Sequence, residues 1–132
     1  MTGETNLDQI LSTITVSQRP GIYTVTSVDE IDDATGIHGV IAEDEGMAVV
    51  LTIEAARSRG WDVEFEAAWL TIDVHSSLEA VGLTAAVARA LADAGIPCNV
   101  LAGYYHDHLL VPAQRAHAAI RCIQALSEGV AW

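Results

Sequence analysis

Residues that could do chemistry concentrate in two short segments, 73–77 and 105–108. The first, Asp-Val-His-Ser-Ser, contains the residue types of a serine hydrolase. However, His75 and Ser76 are neighbours on a segment with strand-like alternation, so their side chains point to opposite faces. The sequence also has no G-x-S-x-G motif, which exposes the nucleophile in many such enzymes. The pattern therefore disfavours a serine hydrolase.

The second segment, Tyr-His-Asp-His, offers ligand types that zinc and iron accept. In a turn, His106 and His108 would share one side, and His75 could join them and Asp107 across a sheet. The simpler interpretation is a polar hairpin turn in which Asp107 binds backbone amides, because no second ligand pair occurs at a defined spacing. A metal-dependent enzyme that uses these four residues is kept as an alternative.

The segment between the predicted strand and the next helix is more informative. Ser76 precedes Glu79 by three residues, the spacing of a capping box. Gly82, however, would cost a continuous helix about 1 kcal/mol relative to Ala, so we expect a loop over 76–81 and a helix that begins near Gly82. A loop that ends at a bare helix N-terminus exposes backbone N–H groups and the positive end of the helix dipole. Such a loop suits a carboxylate.

The elements of the first half follow from hydrophobic periodicity. Arg19-Pro20-Gly21 predicts a break in the chain, and the acidic segment 29–36 predicts a loop or a single helical turn. The predicted elements are a helix over 4–14, a strand over 22–28, a hairpin of strands 40–43 and 48–53, and a short helix over 54–59.

The second half repeats this order with two longer helices. Segment 62–75 alternates twice and is interpreted as the last strand of one unit running into the first strand of another. The other predicted elements are helices over 78–94 and 113–127, strands over 98–102 and 109–111, and at most a stub of strand over 130–132. Both halves fit a βαββαβ template, in which two helices cover one face of an antiparallel sheet. The prediction is an α+β protein with two ferredoxin-like units.

Composition narrows the function further. The 132 residues are 51% hydrophobic, which excludes global disorder. A net charge of -12 disfavours nucleic acid and anionic membrane surfaces as partners. All six basic residues are Arg, which removes Schiff-base lysines and the phosphate-loop lysine, and no cofactor motif is found. Without a signal sequence, the chain is expected in the cytoplasm, with Cys98 and Cys122 as reduced, buried thiols.

Two stretches of the second half resemble the ACT domain: VHSSLEAVGLTAAVARALADAGIPCNV, and AGYYHDHLLVP after it. They are similar to tandem ACT-like proteins of bacteria and to the second ACT unit of CASTOR-type amino-acid sensors. The resemblance is strong over 69–127 and looser over 20–66. It implies an N-terminal ACT-like unit with a leading helix over 1–66 and a C-terminal ACT domain over 67–132. It also implies modules that pair side by side and bind amino acids or other small effectors.

The resemblance also implies where the ligand would bind. The first strand-to-helix loop corresponds to 75–82, and Asp107 stands at a position that could hold a ligand ammonium while loop amides hold its carboxylate. Many ACT units have Asn where this chain has Pro97, and Asn99 could substitute for it from the same strand face. The expected ligand-binding residues are His75, Ser76, Ser77, Ala80, Val81, Gly82, Asn99, Tyr104 and Asp107.

The function expected from these observations is a non-catalytic regulatory module that binds an amino acid and acts as a homodimer on a protein target. A structural or protein–protein interaction module with a vestigial ligand site is the alternative. Two units of roughly 60 residues each would have thin cores, and joining their sheets would cover edge strands. Trp61 and Trp69 are expected at that seam, whereas His38 and His117 are interpreted as surface residues.

Overall fold

The computed structural model describes residues 6–74 and 81–128. The predicted loop residues 75–80 and the predicted strand stub at 130–132 lie outside the described residues. Six antiparallel strands form one sheet in the order β2-β3-β1-β4-β6-β5. The strands are β1 (Thr15–Val28), β2 (Ile37–Glu43), β3 (Gly46–Thr52), β4 (Ala67–Asp73), β5 (Asn99–Ala102) and β6 (Asp107–Pro112).

Four α-helices and two short 3-10 turns accompany the sheet in the described part of the chain. The helices are α1 (Leu7–Ser12), α2 (Ile53–Ser58), α3 (Leu83–Asp93) and α4 (Ala116–Gln124). The 3-10 turns Ala113–Arg115 and Ala125–Glu128 extend α4 at both ends, so the predicted helix over 113–127 is confirmed in extent. No helix within residues 6–74 and 81–128 is long and apolar enough to cross a membrane.

The two ferredoxin-like units share their central strands. Strands β2, β3, β1 and β4 have the order of one unit, and β5, β6, β4 and β1 have the same order in the other. Each unit therefore uses the first strand of the other as its fourth strand. The antiparallel α+β architecture is confirmed, and the prediction that the units join their sheets is confirmed as well.

Two predictions about strands are wrong. Strand β1 does not break at Arg19-Pro20-Gly21 but runs from Thr15 to Val28 with a register shift between Arg19 and Tyr23. Gly21 has a φ of 103°, a conformation that only glycine adopts without strain, so the bulge bends the strand without ending it. Residues 61–66 form no strand, because β4 alone serves as the last strand of one unit and the first of the other.

Side-chain alternation divides the sheet into two faces. Leu70 pairs with Leu109 on the face that the helices cover, and Trp69 pairs with Leu110 on the opposite face. We call these the helix face and the second face. The helix-face core has fifteen buried residues: Ile10, Leu11, Ile14, Ala68, Leu70, Ile72, Leu83, Val87, Leu91, Ile96, Leu109, Val111, Ala116, Ala119 and Ile123.

Helix α1 belongs to this core and thus packs with the C-terminal unit, although it was predicted to lead the N-terminal one. The Gln124 side chain fastens the two ends of the chain together, since it accepts a hydrogen bond from the Val16 N–H at 2.9 Å and donates one to the Ile14 carbonyl at 3.4 Å. Trp69 lies at the seam as expected, whereas Trp61 packs in a smaller core beneath α2.

Candidate functional site

The first element of the site is the start of α3. Gly82 is the N-cap residue with a φ of 100°, and the first helical hydrogen bond joins the Ala86 N–H to its carbonyl at 2.8 Å. The prediction that the helix begins near Gly82 is therefore confirmed. Glycine brings no side chain to cap the N–H groups of Leu83, Thr84 and Ala85, which have no partner within the helix because of their position. These N–H groups point out of the helix at its N-terminal end.

A Cβ atom at position 82 would meet the Leu7 Cδ2 atom at 3.1 Å, which is tight for a real contact. Together with the positive φ, this close approach explains why glycine suits the position. Helix α1 thus packs directly against the start of α3 and helps to hold the amides in place.

The second element is a pocket between α3 and the end of the sheet. It is a shallow region that spans about 250 Å³ when the adjoining open solvent is included. Its polar side chains are those of Thr84 at the helix start and Asp107 at the start of β6. Its remaining lining is apolar: Ile72, Leu83, Val87, Ala88, Val100 and Leu109. The pocket therefore combines one carboxylate, one helix N-terminus and an apolar wall.

Asp107 faces this pocket because of its register. It pairs with Ile72 on β4 and with Ala102 on β5, and Ile72 belongs to the helix-face core. Cross-strand partners share a face, so the Asp107 carboxylate lies on the same side of the sheet as α3.

The structure does not bring all the predicted site residues together. His75, Ser76, Ser77 and Ala80 lie outside the described residues. Val81 is described and strongly exposed, next to Gly82.

Asn99 and Tyr104 are not placed with Asp107, which corrects the expected set. Asn99 pairs with Leu110, a second-face residue, so it lies on the opposite face of the sheet from Asp107. The strand-period argument failed because it started from Pro97, which precedes the strand. Tyr104 is 80% exposed at the tip of the β5–β6 turn, where its ring packs edge-on against Tyr105 with 4.9 Å between centroids.

The described part of the metal alternative does not assemble. Asp107 lies on the helix face, whereas His108 pairs with Thr71 and Leu101 on the second face. His106 Nδ1 lies 2.8 Å from an Asp73 carboxylate oxygen. Within residues 6–74 and 81–128, no three His, Cys, Asp or Glu side chains form a group that could hold a metal ion.

The cysteines fit the predicted structural role. Both are free thiols and half-buried, and both pack against the helix-face core. Burial raises the pKa of the Cys98 thiol, which keeps it in the protonated, unreactive form at neutral pH.

The apolar lining of the pocket was missed in the sequence as part of a site. The spacing of Leu83 and Val87 marks them as inward-facing residues of a helix, but the same spacing serves an ordinary core. Only the gap between α3 and β5 turns these side chains into the wall of a pocket, and no local pattern reports such a gap.

Comparison with known families shows which family the chain belongs to. One profile described as an ACT domain matches residues 2–68, and a second ACT-domain profile matches residues 64–125. The chain belongs to the ACT-domain family. Membership indicates a regulatory module that binds a small-molecule ligand, with both halves of the chain of ACT type. A search of functionally curated proteins found no match.

Solved structures share this fold. A protein of unknown function from Vibrio cholerae, described as a possible transport protein, is 35% identical with a TM-score of 0.85, and the match covers 92% of this chain and 95% of that one. A protein from Agrobacterium tumefaciens is 17% identical with a TM-score of 0.63, covering 87% and 90%. The regulatory subunit of aspartate kinase from Thermus thermophilus is 15% identical with a TM-score of 0.57, covering 87% and 97%. The last two likenesses concern the fold alone.

Proposed function

We propose that this ACT protein is a non-catalytic regulatory module that binds an α-amino acid in the pocket at the start of α3. The observation that carries the proposal is the placement of Asp107 and the α3 N-terminus on one pocket. An α-amino acid has a carboxylate and an ammonium on the same carbon. The helix-start amides suit the carboxylate, and the Asp107 carboxylate suits the ammonium.

The net charge of the chain makes this division of roles more selective. With a charge of -12, the protein repels small anions in general, so a carboxylate needs a local source of positive potential. The amides at the start of α3 supply that potential without adding a charged side chain. A ligand without an ammonium would leave Asp107 unpaired at the pocket wall, which disfavours simple carboxylic acids.

The apolar wall favours an amino acid with an aliphatic side chain. Val87, Val100 and Leu109 offer no polar atom to a ligand side chain, so a polar one would lose water without compensation. A branched aliphatic side chain would instead bury apolar surface, at about 25 cal/mol per Å².

We further propose that the protein works as a homodimer through the edge strand β5. Val100 on this strand is 40% exposed, and Tyr104 and Tyr105 at the adjoining turn are 80% and 84% exposed. The unpaired N–H and C=O groups of this edge can pair with a strand of a second chain, and the exposed aromatic rings beside it can pack against that chain. The same exposed residues favour the second candidate function, a protein–protein interaction module, in which the pocket would hold no ligand.

Calorimetric titration and thermal-shift screening with the twenty amino acids test the proposal. We expect at least one aliphatic amino acid to bind and to raise the melting temperature, as mass action requires. Asp107→Asn should weaken this binding about tenfold or more, since it removes a charge-assisted hydrogen bond.

Asp62→Asn is the matched control, because Asp62 is exposed in the irregular segment before β4 and far from α3 in sequence. It should leave the affinity unchanged. If no amino acid binds the folded protein at millimolar concentration, or if both variants bind as the wild type does, the proposed ligand site is wrong.

A further inference from the structure

The second face of the sheet carries a cationic and aromatic cluster that the amino-acid pocket does not use. We call it the Trp69 cluster, and it consists of Arg19, His38, Trp69 and His108. The Arg19 guanidinium carbon lies 3.9 Å from the centroid of the Trp69 ring. Arg19 and Trp69 are direct cross-strand partners, which is why the guanidinium reaches the ring.

A bulge in β2 accounts for the position of the His38 ring near Trp69, whereas Arg19 lies just before a bulge in β1. The register of β1 shifts immediately after Arg19, and the register of β2 shifts between Ile37 and Gly39, around His38. The second bulge turns the His38 ring toward the second face, where it lies 5.2 Å from the Tyr23 ring and 6.0 Å from the Trp69 ring. Bulges commonly redirect a side chain at a site.

Hydrogen bonds within the cluster determine which of its N–H groups remain available to a ligand. Arg19 Nη1 donates to His38 Nδ1 at 3.1 Å, because an arginine has no lone pair to accept with. In neutral His38 the proton is therefore on Nε2, and this N–H points away from Arg19. His108 Nδ1 in turn accepts from the Trp69 indole N–H at 3.2 Å and lies 3.0 Å from the Thr71 hydroxyl. His108 is thus a positioning residue that holds the orientation of the indole.

Arg19 keeps most of its donors for a ligand. In the part of the chain that the structure describes, carboxylates form ion pairs with Arg89 and His106 but not with Arg19. A guanidinium has five N–H donors, and His38 takes one of them. In a chain with 18 acidic residues, an arginine held over an indole ring with donors to spare is a local excess of positive charge.

We propose that the Trp69 cluster is a second binding site, which takes a small oxyanion (a carboxylate, sulfate or phosphate group) on the free N–H donors of the Arg19 guanidinium, beside the His38 ring. The stacking on Trp69 and the bond to His38 hold the planar fork in place before the ligand arrives, which lowers the entropy lost on binding. This site lies on the opposite face of the sheet from the amino-acid pocket, and the two are independent.

Anion binding at this site is coupled to protonation of His38. Desolvation and then the charge of Arg19 lower the pKa of His38, and the same two causes lower the pKa of His108, with His106 adding to and Asp107 opposing the shift. An oxyanion beside Arg19 offsets its charge and raises the pKa of His38 again. By linkage, the anion binds more tightly at low pH. Protonated His38 also releases Arg19 Nη1 for the ligand, because it no longer has a lone pair on Nδ1.

Titration calorimetry with sodium sulfate and with sodium benzoate, at constant ionic strength in chloride, tests the proposal. Both anions keep their charge between pH 6 and pH 8, and they separate a tetrahedral oxyanion from a carboxylate on a flat ring. We expect saturable binding that is several-fold tighter at pH 6 than at pH 8, because protonation of His38 adds a positive charge beside the anion. The repulsion by the net charge of -12 works against non-specific binding of either anion.

Arg19→Gln should abolish the binding, and Arg19→Lys should weaken it, because lysine keeps the charge but lacks the planar fork. Arg57→Gln on the exposed side of α2 is the matched control and should bind as the wild type does. His38→Gln should retain weaker binding without the pH dependence, and it decides the question if the Arg19 variants do not fold. Absence of saturable binding by either anion at pH 6, or unchanged pH dependence in His38→Gln, would overturn the proposal.

Discussion

The two ACT units of this chain differ at the same point of their topology. After its first strand, β4, the C-terminal unit enters α3, and the amides at the α3 start face the pocket with Asp107. After its first strand, β1, the N-terminal unit has the loop 29–36 in place of a helix. That loop contains Asp29, Glu30, Asp32 and Asp33. This loop contains neither a helix N-terminus nor a positively charged residue of its own, so it lacks the feature that suits the α3 start to a carboxylate.

The comparison teaches that duplication of the fold has not duplicated the site. The N-terminal unit contributes strands and edges, whereas the C-terminal unit has the pocket and most of the core. The core beneath α2 consists of only three fully buried residues, Val49, Leu51 and Ala56, against fifteen in the helix-face core. The amino-acid ligand proposed above should accordingly bind once per chain.

The largest expected effect comes from separating the units. A fragment of residues 67–132 lacks β1, which supplies its fourth strand, and α1, which covers its core. We expect it to remain unfolded, with no cooperative thermal transition by circular dichroism. A circular permutant that begins at residue 67 and joins the original ends by a flexible linker keeps every strand pair and should fold. A fragment that melts cooperatively by itself would contradict the shared-strand architecture.

A smaller effect should distinguish the two cores. Leu70 and Leu51 are both fully buried on the helix side, one in each core. We expect Leu70→Ala to lower the free energy of unfolding by about 4 kcal/mol and Leu51→Ala by about 2 kcal/mol. The reason is that the larger core cannot collapse into the cavity, whereas the thin one can. Urea denaturation measures both values, and equal losses would mean that the cores do not differ in rigidity.

The smallest effect concerns two glycines, one in each unit. Gly60 ends the α2 region with a φ of 74°, and a Cβ atom added there would meet no atom of the described residues within 4 Å, whereas one added at Gly82 meets Leu7. We expect Gly60→Ala to cost about 1 kcal/mol, the cost of a left-handed backbone alone, and Gly82→Ala about 2 kcal/mol. Urea denaturation of the two variants measures both costs.

The Leu7→Ala variant provides the control for this pair. In the Leu7→Ala background, Gly82→Ala should lower the free energy of unfolding only as much as Gly60→Ala does in the wild type, because the clashing methyl group is absent. If Gly82→Ala costs no more than Gly60→Ala, α1 does not constrain the start of α3.

Local signals predicted the elements well. The hairpin of β2 and β3, the break before α3 at Gly82 and the helix stop at Gly95 all follow from glycine and periodicity, which act over a few residues. The sharing of β1 and β4 was not predictable in this way, because it depends on pairing between residues about 50 positions apart. Pro20-Gly21 carries the signal of a break, and only the tertiary pairing of β1 with β4 makes it a bulge.

The same limit applies to the placement of the residues expected at the site. Gly82 and Asp107 carry local signals, and the structure brings them to one side of the sheet. Asn99 lies on the opposite face from Asp107 because its pairing with Leu110 on β6 sets its face, and no local signal reports that pairing. Arg19 and His38 were not recognised as a site, since their meeting at Trp69 depends on the pairing of β1 with β4 and on a bulge in β2.

The length of β1 has a consequence for synthesis on the ribosome. Its fourteen residues are translated early, yet the edge that pairs with β4 stays unpaired until β4 has been translated. The Gln124 link to Val16 comes later still, spanning 108 positions. The nascent N-terminal half must therefore remain with an unpaired strand edge until then, and its protection from premature association depends on how fast the second half follows.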